Sequence, residues 1–155
     1  MNLSELLTEE VVLLDFKAKD KWEAIERLVE ALIAQGRLKT SHRKPVLDAL
    51  FARENVASTG MGLGIAIPHA WTDLLDSGVA AVGISPQGVP FQSADGLPAT
   101  VVILLVSPRQ SAQKHVRTLA AIARLLNYEE MRTALVNAKT AREVLAIVKN
   151  EEDQD

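Results

Sequence analysis

Apolar side chains recur at helical spacing in four segments of the chain. The first such segment follows Asp20, where apolar positions repeat every three or four residues and polar residues lie between them. Its apolar members are Trp22, Ile25, Leu28, Val29, Leu32 and Ile33, and its polar face carries Lys21, Glu23, Glu26, Arg27 and Glu30. Asp20 and Glu23 form a capping-box pattern, as do Thr140 and Glu143, so helices are predicted to begin at both places.

Two further helices are predicted between the one that begins at Asp20 and the one that begins at Thr140. One begins at Ser41 and ends near residues 53–57, and the other covers residues 112–127. Their apolar stripes consist of Val46, Leu47, Leu50 and Phe51 in the first, and Val116, Leu119, Ile122, Ala123 and Leu126 in the second. The helix that opens at Thr140 is predicted to continue through Val148.

Continuous apolar runs predict buried strands between the helices. These runs are residues 11–16, 65–67, 79–84, 89–91 and 100–106, with turn sequences at 85–88 and 94–98. Strands that alternate with helices are typical of a layered domain, and the close spacing of the runs from 79 to 106 indicates one antiparallel pair. We therefore predict an α/β fold (α+β mixed) with a mixed, mostly parallel sheet of about five strands and helices on both faces.

Composition limits the class of protein. A chain of 155 residues with 48% hydrophobic content supports one core, so we expect one domain at residues 1–150 and an acidic, frayed tail at 151–155. The net charge of −3 argues against nucleic acid as a partner and against electrostatic attachment to a membrane. The chain has no cysteine, no signal-peptide pattern and no apolar run that could span a bilayer, so we expect a cytoplasmic protein without membrane insertion.

The most informative segment is residues 59–70, Thr-Gly-Met-Gly-Leu-Gly-Ile-Ala-Ile-Pro-His-Ala. Three glycines within five positions predict a tight turn, and a short buried strand follows it. Pro68 lacks an N–H donor, so the strand is predicted to stop there and to present His69 at its end. A neutral imidazole in such a position is a competent nucleophile near neutral pH.

A second histidine is predicted to lie on the same rim. His115 falls in the first turn of the helix that follows the strand at 100–106, and sites in open α/β sheets gather beyond the carboxyl ends of strands. The helix N-terminus there favours an anion such as a phosphoryl group. Arg53, Thr59 and the amides of the glycine turn, including that of Gly60, could supply further donors to phosphoryl oxygens.

Each feature also has a purely structural interpretation. The glycines could form only a tight turn, His115 could be a helix-surface histidine, and Arg53 with Glu54 could be a solvated helix end. The chain has neither a dinucleotide fingerprint nor a P-loop, and its three histidines lack metal-site spacing, so nucleotide and metal sites are not predicted. A hydrolase with His69 as base would lack an acid partner and a serine elbow.

Residues 53–70 resemble the signature of the fructose/mannitol-type enzyme IIA domains of the bacterial phosphoenolpyruvate:sugar phosphotransferase system. The matching pattern is an acidic residue, six intervening positions and then Met-Gly-x-x-Ile-Ala-Ile-Pro-His-Ala. Phe91, the turn Asp95-Gly96, the apolar strand that ends in Pro108 and the segment His115-Val116-Arg117-Thr118-Leu119 extend the resemblance over essentially the whole chain. Leu63 and Ala70 depart from the Asn and Gly that many members carry at these positions.

The resemblance implies a phosphohistidine carrier, closest in layout to the free-standing nitrogen-regulatory enzyme IIA. His69 would accept a phosphoryl group from the carrier protein HPr or its nitrogen-branch relative. His115 would orient or stabilise the group, and Arg53 would contact phosphate or partner. The group would pass to a IIB protein or be relayed to a regulatory target, with no cofactor or metal. The alternative is a regulatory binding protein that His69 phosphorylation switches without onward transfer.

Overall fold

The predicted amphipathic segments are helices in the computed structural model, which describes residues 2–153. The helices are α1 (Leu3–Leu6), α2 (Lys21–Ala34), α3 (Arg43–Val56), α4 (Ala112–Leu125), α5 (Glu129–Asn137) and α6 (Ala141–Asp153). Asp20 caps α2 by accepting a hydrogen bond from the Glu23 amide at 2.9 Å, and Thr140 does the same for the Glu143 amide at 3.1 Å. Both predicted helix starts are therefore confirmed, although Glu23 and Glu143 accept from the amides of Lys19 and Lys139 instead of closing a reciprocal capping box.

Six strands form one mixed sheet, as the alternation of elements predicts. They are β1 (Val12–Leu13), β2 (Gly60–Gly62), β3 (Ile65–Ala66), β4 (His69–Thr72), β5 (Val79–Val89) and β6 (Ala99–Pro108). The order across the sheet is β1-β5-β6-β3-β2, and β4 also pairs with β6. β5 and β6 are antiparallel, as are β2 and β3, whereas β1 runs parallel to β5, and both β3 and β4 run parallel to β6.

The antiparallel pair of β5 and β6 is the centre of the core. Consecutive residues Val79–Ser85 and Val101–Pro108 are buried, so both faces of this pair are covered. The predicted turn at 85–88 is wrong, because β5 continues through it to Val89 with a shift in register after Ile84. Gly88 has a φ of +85°, and Pro98 occupies the space that a Cβ at this position would need. The turn sequence therefore marks a bulge within one long strand.

The strand before Pro68 ends there, as predicted, but the chain pairs with β6 again from His69, which was not predicted. Ile65 pairs with Val101 in β3 and His69 pairs with Leu105 in β4, so both strands keep the same register on β6. The carbonyl of Pro68 accepts a hydrogen bond from the Leu105 amide at 3.0 Å, because proline lacks only the donor half of the ladder. His69 is therefore the first residue of a new strand, held beside the middle of β6.

The structure also differs from the predictions in a short strand, in two unpredicted helices and in the C-terminal tail. The strand predicted at 11–16 shortens to Val12–Leu13, and Asp15 adopts a φ of +51°. The short helices α1 and α5 were not predicted, since each buries only two side chains and neither has a side-chain cap. The expected frayed tail is helical as far as Asp153, the last described residue, and Glu152 accepts a hydrogen bond from the Ser4 hydroxyl at 2.5 Å. Residues 154 and 155 lie outside the described residues.

Candidate functional site

His69 and His115 face each other at one edge of the sheet. Their ring centroids are 5.5 Å apart and their planes are inclined by 50°. His69 opens β4, and His115 is in the first turn of α4, which β6 leads into through a short 3-10 turn at Arg109–Ser111. β6 brings the two histidines together, because β4 pairs with it and it leads into α4. The predicted meeting of the two imidazoles is what the structure shows.

The hydrogen bond of His69 defines its tautomer. Nδ1 of His69 lies 2.7 Å from the carbonyl oxygen of Ile67. A carbonyl oxygen can only accept, so Nδ1 carries the proton, and Nε2 of the neutral ring has the free lone pair. The hydrogen bond to the backbone thus leaves Nε2 as a nucleophilic nitrogen that needs no partner base.

Both histidines have a lowered pKa. Partial burial lowers the pKa of His69, and the charge of Arg53 adds to this, while the hydrogen bond to Ile67 and the charge of Glu54 act in the opposite direction. Burial lowers the pKa of His115 from 6.5 to about 4, with a further contribution from His69. Both rings are therefore neutral near pH 7, and His69 has the protonation state that a nucleophile needs.

His115 is held by packing alone. Its residue is only 2% exposed, and neither ring nitrogen has a hydrogen-bond partner among residues 2–153. The indole of Trp71 packs edge-on against the imidazole with ring centroids 5.4 Å apart and planes at 75°. A buried polar ring without partners is costly in a folded protein and indicates a group kept for function.

The histidines line a cleft of about 310 Å³. Its lining residues are Ala49, Arg53, His69, Ala70, Trp71, Arg109 and His115. Arg53 donates from Nη1 to the carbonyl of Ala57 at 2.8 Å, which fixes its guanidinium at the end of α3. Nε of Arg109 lies 3.3 Å from a carboxylate oxygen of Asp73, and both side chains are exposed. Two guanidinium groups beside two neutral imidazoles make the cleft suitable for a phosphoryl anion.

Thr59 and Gly60 are not among the residues that line the cleft, and their predicted contact with phosphate or partner stays a prediction. The amide and the hydroxyl of Thr59 both donate to the carboxylate of Glu54, at 2.8 and 2.5 Å. The Gly60 amide donates to the hydroxyl of Ser58 at 3.0 Å. These donors are engaged inside the protein, which leaves the two arginines as the charged groups of the cleft.

The glycine segment forms a β-hairpin between β2 and β3. Gly62 pairs with Ile65, and the two loop residues Leu63 and Gly64 have φ values of +59° and +80°. Two positive φ values are typical of the type I′ turn that joins strands tightly. The Leu63 amide donates to the carboxylate of Asp95 at 2.9 Å, and the Leu97 amide donates to it at 3.0 Å. These hydrogen bonds lower the pKa of Asp95 and tie the hairpin to the next loop.

Glu54 and Lys21 are buried. The sequence analysis placed Lys21 on the polar face of its helix, and one interpretation placed Glu54 at a solvated helix end. The two residues are 2% and 4% exposed, and Nζ of Lys21 lies 3.3 Å from a Glu54 carboxylate oxygen. Lys21 also lies over the ring of Trp22, 4.9 Å from its centroid. Amphipathic spacing could not reveal this pair, because a buried ion pair depends on two helices meeting.

Two residues of the cleft were missed by sequence reasoning. Trp71 lies two positions after His69 in β4, and alternate residues of a strand share a face, so this spacing could have revealed it. Arg109 follows directly on Pro108 at the end of β6, where sites in α/β sheets gather.

Residues 2–153 contain neither a metal-binding cluster nor a membrane-spanning helix. This part of the chain contains no group of three or more His, Cys, Asp or Glu side chains that could hold a metal ion. None of its helices combines the length and the apolar character that crossing a bilayer requires.

The chain belongs to the family described as phosphoenolpyruvate-dependent sugar phosphotransferase system, EIIA 2, whose model matches residues 5–151. This match confirms the resemblance over essentially the whole chain, including both histidines. EIIA domains of this system are phosphotransferase components that carry a phosphohistidine intermediate.

Relatives of this chain include both sugar-specific and regulatory proteins. The chain is 34% identical over 150 residues to the PTS system fructose-specific EIIA component of Haloferax volcanii, which covers 95% of this chain and 96% of that protein. It is 34% identical over 154 residues to the PTS system fructose-specific EIIABC component of Bacillus subtilis, covering 99% of this chain and 24% of that longer protein. The structure is similar to nitrogen regulatory protein IIA-Ntr from Neisseria meningitidis, with a TM-score of 0.86, 28% identity and coverage of 94% of this chain and 98% of that chain.

Proposed function

We propose that Nε2 of His69 accepts a phosphoryl group from the phosphohistidine of an HPr-type carrier protein and passes it on. The observation that supports this role best is the hydrogen bond from Nδ1 of His69 to the Ile67 carbonyl, which leaves Nε2 with its lone pair. The family to which the chain belongs also supports the proposal.

The transfer needs no proton movement at the attacking nitrogen. The Nε2 lone pair forms a bond to phosphorus while the bond between phosphorus and the donor nitrogen breaks, and the donor ring keeps the electron pair. The attacking ring becomes positively charged, and its Nδ1–H remains bonded to Ile67. Positioning and charge stabilisation therefore carry the catalysis.

The cleft residues would hold the transferred group. Arg53 and Arg109 provide guanidinium donors that match phosphoryl oxygens, and neutral His115 has one N–H to donate. His115 then gains the hydrogen-bond partner that it lacks among the described residues. We assign it the role of orienting and stabilising the phosphoryl group on His69.

We propose a IIB protein as the acceptor. The Bacillus subtilis relative is a fructose-specific EIIABC component, and the Haloferax volcanii relative is a fructose-specific EIIA component. A chain without cysteines suits the reducing cytoplasm, where we place this exchange. The similarity to the nitrogen regulatory protein from Neisseria meningitidis supports the alternative, a regulatory binding protein that His69 phosphorylation switches without onward transfer.

The first experiment incubates the protein with phosphoenolpyruvate, enzyme I and HPr and measures its intact mass. We expect an acid-labile increase of one phosphoryl group, which His69→Ala abolishes. His42→Ala is the matched control and keeps the label, since His42 lies at the start of α3 and is not among the residues that line the cleft. Label in the His69→Ala protein would overturn the assignment.

A second experiment separates onward transfer from the regulatory alternative. The labelled protein is mixed with a purified fructose-type IIB protein, and loss of label is followed with time. Rapid transfer supports the sugar branch. A label that stays on His69 in the presence of IIB would favour the regulatory alternative.

A further inference from the structure

A buried ion pair lies at the start of a continuous chain of hydrogen bonds that ends at His69. Lys21, at the beginning of α2, contacts Glu54 in the last turn of α3 at 3.3 Å. Both side chains are almost fully buried, and neither is among the residues that line the cleft. An ion pair so deeply buried is a poor source of stability, so stability alone does not explain its position.

Glu54 binds both polar groups of one residue. Its carboxylate accepts from the Thr59 amide at 2.8 Å and from the Thr59 hydroxyl at 2.5 Å, in addition to Lys21. Charge-assisted hydrogen bonds of this kind are stronger and more directional than neutral ones. The carboxylate thus fixes the peptide of Thr59, the residue that leads into β2.

Thr59 in turn holds the backbone that orients the nucleophile. Its carbonyl accepts from the Ile67 amide at 3.1 Å, and the Ile67 carbonyl accepts from Nδ1 of His69 at 2.7 Å. Hydrogen bonds therefore connect Lys21 to the imidazole through Glu54, Thr59 and Ile67, with the backbone of Thr59 and of Ile67 as the covalent links between them. The charge of Glu54 also reaches His69, whose pKa it raises.

We propose that Glu54, neutralised by Lys21, is a positioning residue that places the Ile67 carbonyl and so holds His69 in the tautomer with the proton on Nδ1. Its effect on phosphoryl transfer rests on the proposed function, whereas its effect on the tautomer does not. Glu54 acts through Thr59 and Ile67 and does not touch the reacting atoms. A residue of this kind fixes which ring nitrogen is free to react.

Two double variants test the link without leaving a charge unpaired. Lys21→Met with Glu54→Gln keeps an amide oxygen for the Thr59 amide and an amide N–H for the Thr59 hydroxyl. Lys21→Met with Glu54→Leu fills the same space and offers no acceptor. Removing both charges together avoids an uncompensated buried ion, so both proteins are expected to fold. Thermal melting and circular dichroism check this.

The first readout is the ¹⁵N chemical shift of each His69 ring nitrogen in the unphosphorylated protein. We expect wild type and the Gln variant to show the proton on Nδ1, and the Leu variant to shift toward the Nε2–H tautomer. Identical tautomer populations in two folded variants would overturn the proposal. This measurement does not depend on phosphoryl transfer.

The second readout is the rate of phosphoryl uptake from phospho-HPr. We expect a loss of about tenfold to a hundredfold in the Leu variant and recovery to near the wild-type rate in the Gln variant. Equal rates in both variants would count against the proposal. A wild-type protein that takes up no phosphoryl group would instead overturn the proposed function, while the tautomer result would still decide the positioning role.

Discussion

Trp71 lies edge-on against His115, with its ring centroid 5.4 Å from that of the imidazole. The indole is 39% exposed and covers a histidine that is itself only 2% exposed. Because His115 has no hydrogen-bond partner among residues 2–153, packing against Trp71 and His69 is what orients its ring. Trp71 therefore separates His115 from water on its side of the cleft.

Replacing Trp71 by alanine is expected to raise the pKa of His115. Burial is the main cause of the low value of about 4, and removing the indole admits water to the ring. Trp71→Phe keeps an aromatic face and is expected to keep the low pKa. Titration of the His115 ring by NMR measures both variants. A pKa that stays near 4 in Trp71→Ala would show that the indole does not shield the ring.

Phosphoryl uptake should remain fast below the usual pKa of histidine. Burial lowers the pKa of His69 from 6.5, so the ring stays neutral at pH values where free imidazole is protonated. Below the lowered pKa a proton occupies Nε2 and the rate falls. Single-turnover rates with phospho-HPr between pH 5 and 8 test this expectation, in the range where histidines titrate.

Arg53→Gln is the matched variant for the same pH series. The charge of Arg53 lowers the pKa of His69, so its removal is expected to move the inflection of the rate profile to higher pH. The plateau rate can fall as well, because Arg53 lines the cleft. An inflection that stays in place would exclude an electrostatic effect of Arg53 on the nucleophile.

The free energy of unfolding should decrease as the pH falls from about 6.5 to about 4. In this window His115 is neutral in the folded protein and protonated in the unfolded chain, so the unfolded state binds more protons and acid favours it. The pKa difference corresponds to a loss of up to about 3 kcal/mol. Urea unfolding at several pH values measures the slope. His115→Phe is expected to flatten it, and an unchanged slope would contradict this origin.

Leu63 is an unfavourable residue for the hairpin turn it occupies. Its φ of +59° suits Asn or Gly, and its side chain is 56% exposed. Leu63→Asn is expected to stabilise the protein by about 0.5–1 kcal/mol, as measured by urea unfolding. Leu63→Ala is the control, because alanine is strained at the same φ. An equal gain in both variants would mean that the turn conformation is not the cause.

Local patterns predicted the helices and the site histidines well. The capping boxes at Asp20 and Thr140 gave correct helix starts, and the apolar run at 100–106 corresponds to the centre of β6. His69 lies in a strand that pairs with β6, and His115 lies in the helix that follows β6, so the two histidines meet as predicted. These features depend on residues close in sequence or on a general rule of α/β sheets.

Features that depend on distant contacts were beyond the reach of such patterns. The burial of Lys21 requires Glu54 from another helix, and the engagement of Thr59 requires the same carboxylate. The bulge after Ile84 carries turn residues, and only its pairing with β6 shows that the strand continues. Tertiary contacts, and not local propensity, decide these positions.

The constant register of β3 and β4 on β6 has a consequence for variation in this protein. His69 is paired with Leu105, and His115 belongs to the helix that follows the same strand. The number of residues between Leu105 and His115 therefore fixes the distance between the two rings. Insertions in loops outside the segment 105–115 are expected to leave the ring pair intact. Inserting or deleting a single residue inside it would rotate His115 away from its partner.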